Sequence, residues 1–101
     1  MQEKRVQRTY RLTGDVDHHS APAIRRDLDR LIDEARPTRL IIDFAGTEIM
    51  DSSGIGLLIG RYKKVQRYGG RIYAKNLNRH IRAVFKMAGL NGIIGEIDGR
   101  R

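Results

Sequence analysis

Hydrophobic and polar positions along the chain fall into alternating stretches of two periods. Val6 to Leu12 alternates Val6, Arg8, Tyr10 and Leu12 with Gln7, Thr9 and Arg11, which predicts a strand wet on one side and near a sheet edge. Thr13-Gly14-Asp15 ends it. From Ser20 the spacing of Ile24, Leu28, Leu31, Ile32 and Ala35 predicts a helix, with Ser20 as N-cap, Pro22 in its first turn and Arg36-Pro37 as its stop.

Leu40 to Phe44 is a nearly unbroken apolar run, which predicts a central strand buried on both faces by helices. The next periodic stretch, Ile55, Leu58, Ile59, Tyr62 and Val65, predicts a helix from Asp51 to Tyr68, capped by Asp51 or Ser52 and closed by Gly69-Gly70. Arg71 to Ala74 reads as a third strand. A helix capped by Asn78 then uses Ile81, Val84, Phe85 and Ala88, Gly89 ends it, and Ile93-Ile94 begins a last short strand. Strands alternating with helices imply an α/β domain with neighbouring parallel strands.

The chain has 101 residues, and no linker or internal repeat interrupts the alternation, so one domain spans 1–101. Its formal charge of +8 raises the prospect of an acidic partner, nucleic acid included. Arg61, Lys63, Lys64, Arg67 and Arg71, near one helix end, are the strongest basic cluster. The other basic residues are scattered, as on a solvated surface. The absence of cysteine removes disulfides and thiolate metal sites. The apolar runs fall well short of the ~20 residues a membrane-spanning helix needs, and the charged start is unlike a signal peptide, so the cytoplasm is expected.

Several chemistries compete for the same residues. Gly54, Gly56 and Gly60 sit on a strand-to-helix turn, but their GxGxxxG spacing departs from the dinucleotide fingerprint and the usual acidic residue downstream is missing. The glycines are explained without a ligand if Gly54 relaxes the turn while Gly56 and Gly60 allow close helix packing. A serine hydrolase is disfavoured because Asp51 stands where the nucleophile-elbow glycine would precede Ser53 and His80 lies on a distant helix. His18, His19 and His80 make a poor metal set. Asp15, Asp17, Asp43 and Asp51 can meet at the carboxyl ends of the strands, where solvated turn aspartates are the commoner outcome than a Mg²⁺ site.

Ser52 and Ser53, at the start of the second helix, carry a different chemistry. Free backbone N–H groups and the positive end of the macrodipole favour an anion there, so a phosphoryl group on Ser53 would be accommodated without disturbing the core. Its charge of about −1.5 to −2 beside Asp51 and Asp17 would repel an acidic partner surface.

Three stretches in order, Leu12-Thr13-Gly14-Asp15-Val16-Asp17-His18-His19-Ser20-Ala21, Met50-Asp51-Ser52-Ser53-Gly54-Ile55-Gly56 and Gly60-Arg61-Tyr62-Lys63, resemble the motifs of STAS-domain anti-sigma factor antagonists, most closely the sporulation type. Phe85 to Leu90 is similar to the ending of the family's third helix, and the resemblance runs from about Tyr10 to Ile97.

It implies a STAS-like α/β domain with a mixed, mostly parallel sheet of about four strands. It also implies a cytoplasmic, non-enzymatic protein, monomeric when free, that binds an anti-sigma factor serine kinase and thereby releases the sigma factor. By this resemblance Ser53 is the phosphoacceptor, and Asp17, Asp51, Ser52, Gly54 and Ile55 form the partner-contact region. ATP is the partner kinase's substrate, no cofactor or metal is held, and a serine phosphatase restores the unmodified form. Family members usually begin with an extra strand and end with a longer helix, so short edges are expected at both ends of this domain. The alternatives are a basic nucleic-acid-binding domain and a STAS scaffold of another regulatory complex.

Overall fold

The computed structural model describes residues 5–97. In chain order the elements are β1 (Gln7–Thr13), α1 (Ala21–Ala35), β2 (Arg39–Gly46), α2 (Ser52–Gln66), β3 (Arg71–Lys75), α3 (Arg79–Ala88), a 3₁₀ turn (Leu90–Gly92) and β4 (Gly95–Ile97). The expected short edges at residues 1–4 and 98–101 lie outside the described residues.

The strands lie side by side in the order β1-β2-β3-β4, and all three pairings are parallel rather than mixed. Parallel neighbours need crossover connections, and successive crossovers of one hand in one direction place their helices on one face of the sheet. The core follows that rule. Leu40, Ile42 and Phe44 of β2 and Ile72 and Ala74 of β3 join one buried cluster with Leu28 and Ile32 of α1, Leu57, Leu58 and Val65 of α2, and Ile81 and Phe85 of α3. Phe44 and Phe85 meet edge to face at 5.7 Å, which ties α3 to the central strand.

The expectation of a β2 strand covered by helices on both faces is therefore corrected. Ile41 is buried but lies outside the cluster, on the face where its register partners are Thr9 and Tyr73. Flanking side chains bury it there, and an apolar run reads the same in either surrounding.

The last strand is also displaced. Ile93 follows the 3₁₀ turn and Ile94 is buried in the core, so β4 starts at Gly95, where pairing with Tyr73 begins. Gly89 caps α3 at φ +73, a left-handed conformation that glycine adopts without steric cost. At the end of α1 the corresponding left-handed residue is Arg36, whose guanidinium lies 4.4 Å from the centre of the Tyr68 ring.

Arg61 and Lys64 of α2 form ion pairs with Asp29 of α1, at 3.1 and 3.4 Å, and Lys64 also reaches Asp33 at 3.0 Å. Part of the expected basic cluster is thus consumed in holding two helices together. No helix among the described residues is long and apolar enough to cross a membrane.

Candidate functional site

The carboxyl ends of β1 and β2 each lead into a loop, and the two loops are zipped together. Gly14 N donates to Gly46 O at 2.9 Å, Val16 N to Ile49 O at 3.0 Å and Asp51 N to Val16 O at 3.0 Å, around a parallel bridge between Val16 and Met50. Side chains add three further ties. The buried Thr47 hydroxyl donates to Gly14 O at 2.9 Å, Asp15 Oδ1 accepts from Ile49 N at 3.1 Å, and Asn78 Nδ2 donates to Glu48 O at 3.0 Å. These bonds bring the Asp17 and Ser53 segments, far apart in sequence, to one end of the sheet.

Asp51 settles the start of α2. Its extended backbone marks the N-cap, and its side chain accepts from Ser53 N at 2.8 Å. Ser52 is therefore the first helical residue, exposed, and Ser53 the second, half-buried.

Asp17 works in the same way on the facing loop. Its Oδ1 accepts from His19 N at 2.9 Å and from Ser20 N at 3.0 Å. The Ser20 N–H is the leading cause holding the Asp17 carboxyl below the usual carboxylate range, with His19 adding to it. Ser20 stands at the N-cap position of α1 but makes no capping bond there. Its hydroxyl turns back to donate to Asp15 O at 2.9 Å, because the chain has already turned at residues 17–20.

A groove of about 390 Å³ runs between the first turns of α1 and α2, lined by His18, Ala21, Pro22, Arg25, Ser52, Ser53, Gly56 and Leu57. Arg25 has no site role in the sequence reading, and His18 is considered there only as a metal ligand. The 3.6-residue period places Arg25 on the polar side of α1, but only the contact between α1 and α2 turns it toward a serine. Among the described residues Arg25 forms no ion pair, so its charge remains available in the groove.

Two expected roles for the glycines change. Gly54 is buried, and a Cβ there would press into the Met50 side chain and lie 3.0 Å from Val16 Cγ1, so it permits close approach inside the turn and offers no contact surface. Gly56 and Gly60 would meet nothing within 4 Å of an added Cβ, so neither serves close helix packing. Ile55 is half-buried and packs against the core from the edge of the site.

The remaining candidate chemistries find no assembled site among the described residues. Asp15, Asp17 and Asp51 each bond a backbone N–H, and Asp43 bonds Ala45 N and Asn76 Nδ2, so the carboxylates do not converge on a common point. His80 does reach the loop, but its Nε2 lies 3.3 Å from Met50 N and 3.4 Å from Met50 O, engaged with backbone and not with Ser53. The uninterrupted strand order also lacks the reversal at which α/β sheets open a dinucleotide crevice.

Comparison with known proteins agrees with this architecture. The STAS domain pattern matches residues 1–99. The chain belongs to the STAS domain family. The anti-sigma F factor antagonist of Lysinibacillus sphaericus is 36% identical over 80 residues, which cover 79% of this chain and 68% of that protein. The anti-sigma-B factor antagonist of Bacillus subtilis is 31% identical over 83 residues, covering 82% and 74%.

The anti-sigma factor antagonist SpoIIAA in its unphosphorylated form superposes on this STAS domain with a TM-score of 0.81 at 30% identity, covering 99% of this chain and 87% of that one. The phosphorylated form of the Bacillus SpoIIAA gives 0.71 at 30% identity, with 99% and 90% covered.

Proposed function

We propose that this STAS domain is an anti-sigma factor antagonist whose binding surface is switched by phosphorylation of Ser53. The observation that carries the reading is the position of Ser53: on the first turn of α2, half-buried at the rim of a groove, and fixed through Asp51 beside the Asp17 loop. The relatives bear the name of that activity, and one of them has been solved both with and without phosphorylation.

In the unmodified state the Asp17 turn, Asp51, Ser52 and the edge of Ile55 present a preformed surface to an anti-sigma factor that is also a serine kinase. Gly54 supports that surface from beneath. The kinase brings ATP, and the Ser53 Oγ attacks its γ-phosphorus as ADP leaves. Among the described residues no side chain hydrogen-bonds the Ser53 hydroxyl, so the kinase supplies the base that takes the proton. The antagonist itself is a substrate and a binding module, not an enzyme.

Phosphorylation adds about −1.5 to −2 charge at a helix start. The backbone N–H groups, the helix dipole and Arg25 stabilise that charge within the domain, so the fold persists. On the partner side the same charge joins Asp17 and Asp51 and repels an acidic or tightly fitted surface. A serine phosphatase acting on the exposed rim restores the binding form. The setting is the cytoplasm, and the free protein is a monomer without cofactor.

The test is binding of Ser53→Ala and Ser53→Asp to an anti-sigma kinase in its ADP-bound form. Ser53→Ala is expected to bind as the parent does, and Ser53→Asp to bind at least about tenfold more weakly, a difference of about 1.4 kcal/mol. A folded Ser53→Ala that does not bind, or a Ser53→Asp that binds undiminished, contradicts the switch. Affinity for sigma-B-type kinases equal to that for sigma-F-type kinases would place the domain in another regulatory complex of the same family.

A further inference from the structure

At the opposite end of the sheet, where the strands begin, a cleft of about 490 Å³ is lined by Arg5, Gln7, Thr38, Arg39, Arg71 and Tyr73 and, among the described residues, by no acidic side chain. Parallel register sets Gln7, Arg39 and Arg71 in one row across three strands. Arg39 and Arg71 are consequently direct neighbours on the face without helices, about 4.8 Å apart at the backbone, and like charges so placed repel. Among the described residues none of Arg5, Arg39 and Arg71 forms an ion pair.

The surroundings hold Arg39 toward the cleft. The Arg39 guanidinium sits 4.8 Å from the centre of the Tyr73 ring, which restricts its rotamers and keeps its N–H fork oriented. Tyr73 is itself braced, because its ring lies close over Gly95, where an added Cβ would fall 3.2 Å from Cδ1. The Thr38 hydroxyl is already bound to the Val6 backbone, so the charged donors of the cleft are the guanidinium groups, with the Gln7 amide and the Tyr73 hydroxyl beside them.

We propose that this cleft is a binding site for a phosphate group, either the free ion or a monoester. Three guanidinium groups carry about three positive charges and many N–H donors. A carboxylate offers one charge and two oxygens, and leaves most of them unmatched. A phosphate monoester offers three acceptor oxygens and about −1.5 to −2 charge near neutral pH, and arginine forks bind it bidentately. Such an anion also cancels the repulsion between Arg39 and Arg71.

The site is independent of the Ser53 switch. The length of β2, about 23 Å for eight residues at about 3.3 Å per step, separates the cleft from the end of the sheet that carries Ser53 and puts it out of reach of that residue's own phosphate.

The test is an NMR titration of the full chain labelled with ¹⁵N at pH 7.5, following the arginine Nε–Hε signals. The probes are inorganic phosphate and O-phosphoserine, with acetate at matched ionic strength. Saturable shifts at Arg39 and Arg71 are expected with both phosphates, with affinity about tenfold lower in Arg39→Gln and in Arg71→Gln and unchanged in Lys86→Gln. Tighter binding of O-phosphoserine assigns the phosphate to an organic carrier, and equal binding assigns it to the free ion; both support the site. The proposal is overturned if the signals do not shift, if acetate binds equally well, or if Lys86→Gln weakens binding as much as the cleft variants do. Each substituted side chain is exposed, and a dispersed amide spectrum confirms that each variant is folded.

Discussion

Asp51 Oδ1 accepts a hydrogen bond from the backbone N–H of Ser53 at 2.8 Å, so one carboxylate both starts helix α2 and sets the position of the candidate phosphoacceptor. Removing it has two separable effects. Asp51→Ala is expected to cost about 1 kcal/mol of stability through loss of the cap, and Asp51→Ser only a few tenths. Urea denaturation measures the first effect. The rate of phosphorylation by an anti-sigma kinase measures the second, which should fall in Asp51→Ala even where the protein is fully folded.

Gly54 and Gly60 should respond differently to alanine. Gly54→Ala drives a methyl into Met50 and toward Val16, and overpacking of this kind costs about 1–3 kcal/mol. Gly60→Ala meets open space inside a helix and should gain about 0.5–1 kcal/mol. Thermal denaturation of the two variants distinguishes this arrangement from one in which both glycines serve close packing, which would make both substitutions harmful.

Asn78 links α3 to the loop beneath the site. Its Oδ1 caps α3 by accepting from Ile81 N at 2.8 Å, while its Nδ2 donates to Thr47 O and Glu48 O. Asn78→Asp keeps the acceptor and loses the donor. It should leave α3 intact and raise amide exchange at residues 47–51, whereas Asn78→Ala should also cost about 1 kcal/mol through the lost cap.

Acid should destabilise the domain partly through Asp17. Its carboxyl titrates below the usual value because the Ser20 N–H, helped by that of His19, favours the charged form. A depressed folded pKa contributes stability that is present above the unfolded pKa and lost as pH falls through the folded one. Asp17→Ala should therefore show a smaller loss of stability than the parent as pH drops from 5 toward 3, as measured by urea midpoints across that range. Asp43 is also lowered: burial pushes it up, but the hydrogen bonds from Asn76 and Ala45, together with nearby Lys75 and Arg11, outweigh it. The parent should retain part of its acid sensitivity through Asp43 when Asp17 is replaced.

Elements with strong periodicity or explicit caps were legible before the structure. The helical spacing of Ile24, Leu28 and Ile32, the caps at Asp51 and Asn78, and the Gly89 stop all correspond to observed features, because each depends on local chemistry. What was not legible depends on packing between distant segments. The apolar run Leu40–Phe44 hid that only one of its faces meets helices. Ser20 looked like a cap because its type and position fit, while the prior turn at Asp17 took its hydroxyl elsewhere. Arg25 joined the site only through the approach of α1 to α2. Gly54 exchanged a surface role for an internal one once Met50 and Val16 were seen above it.

The decisive measurement is the site of phosphoryl transfer. The protein is incubated with a sporulation-type anti-sigma kinase and ATP, and the modified residue is located by peptide mass spectrometry. One phosphoryl group per chain is expected, on Ser53, with a Ser53→Ala variant left unmodified. A folded parent protein that remains unmodified, or one modified at Ser52 with Ser53 untouched, would contradict the switch.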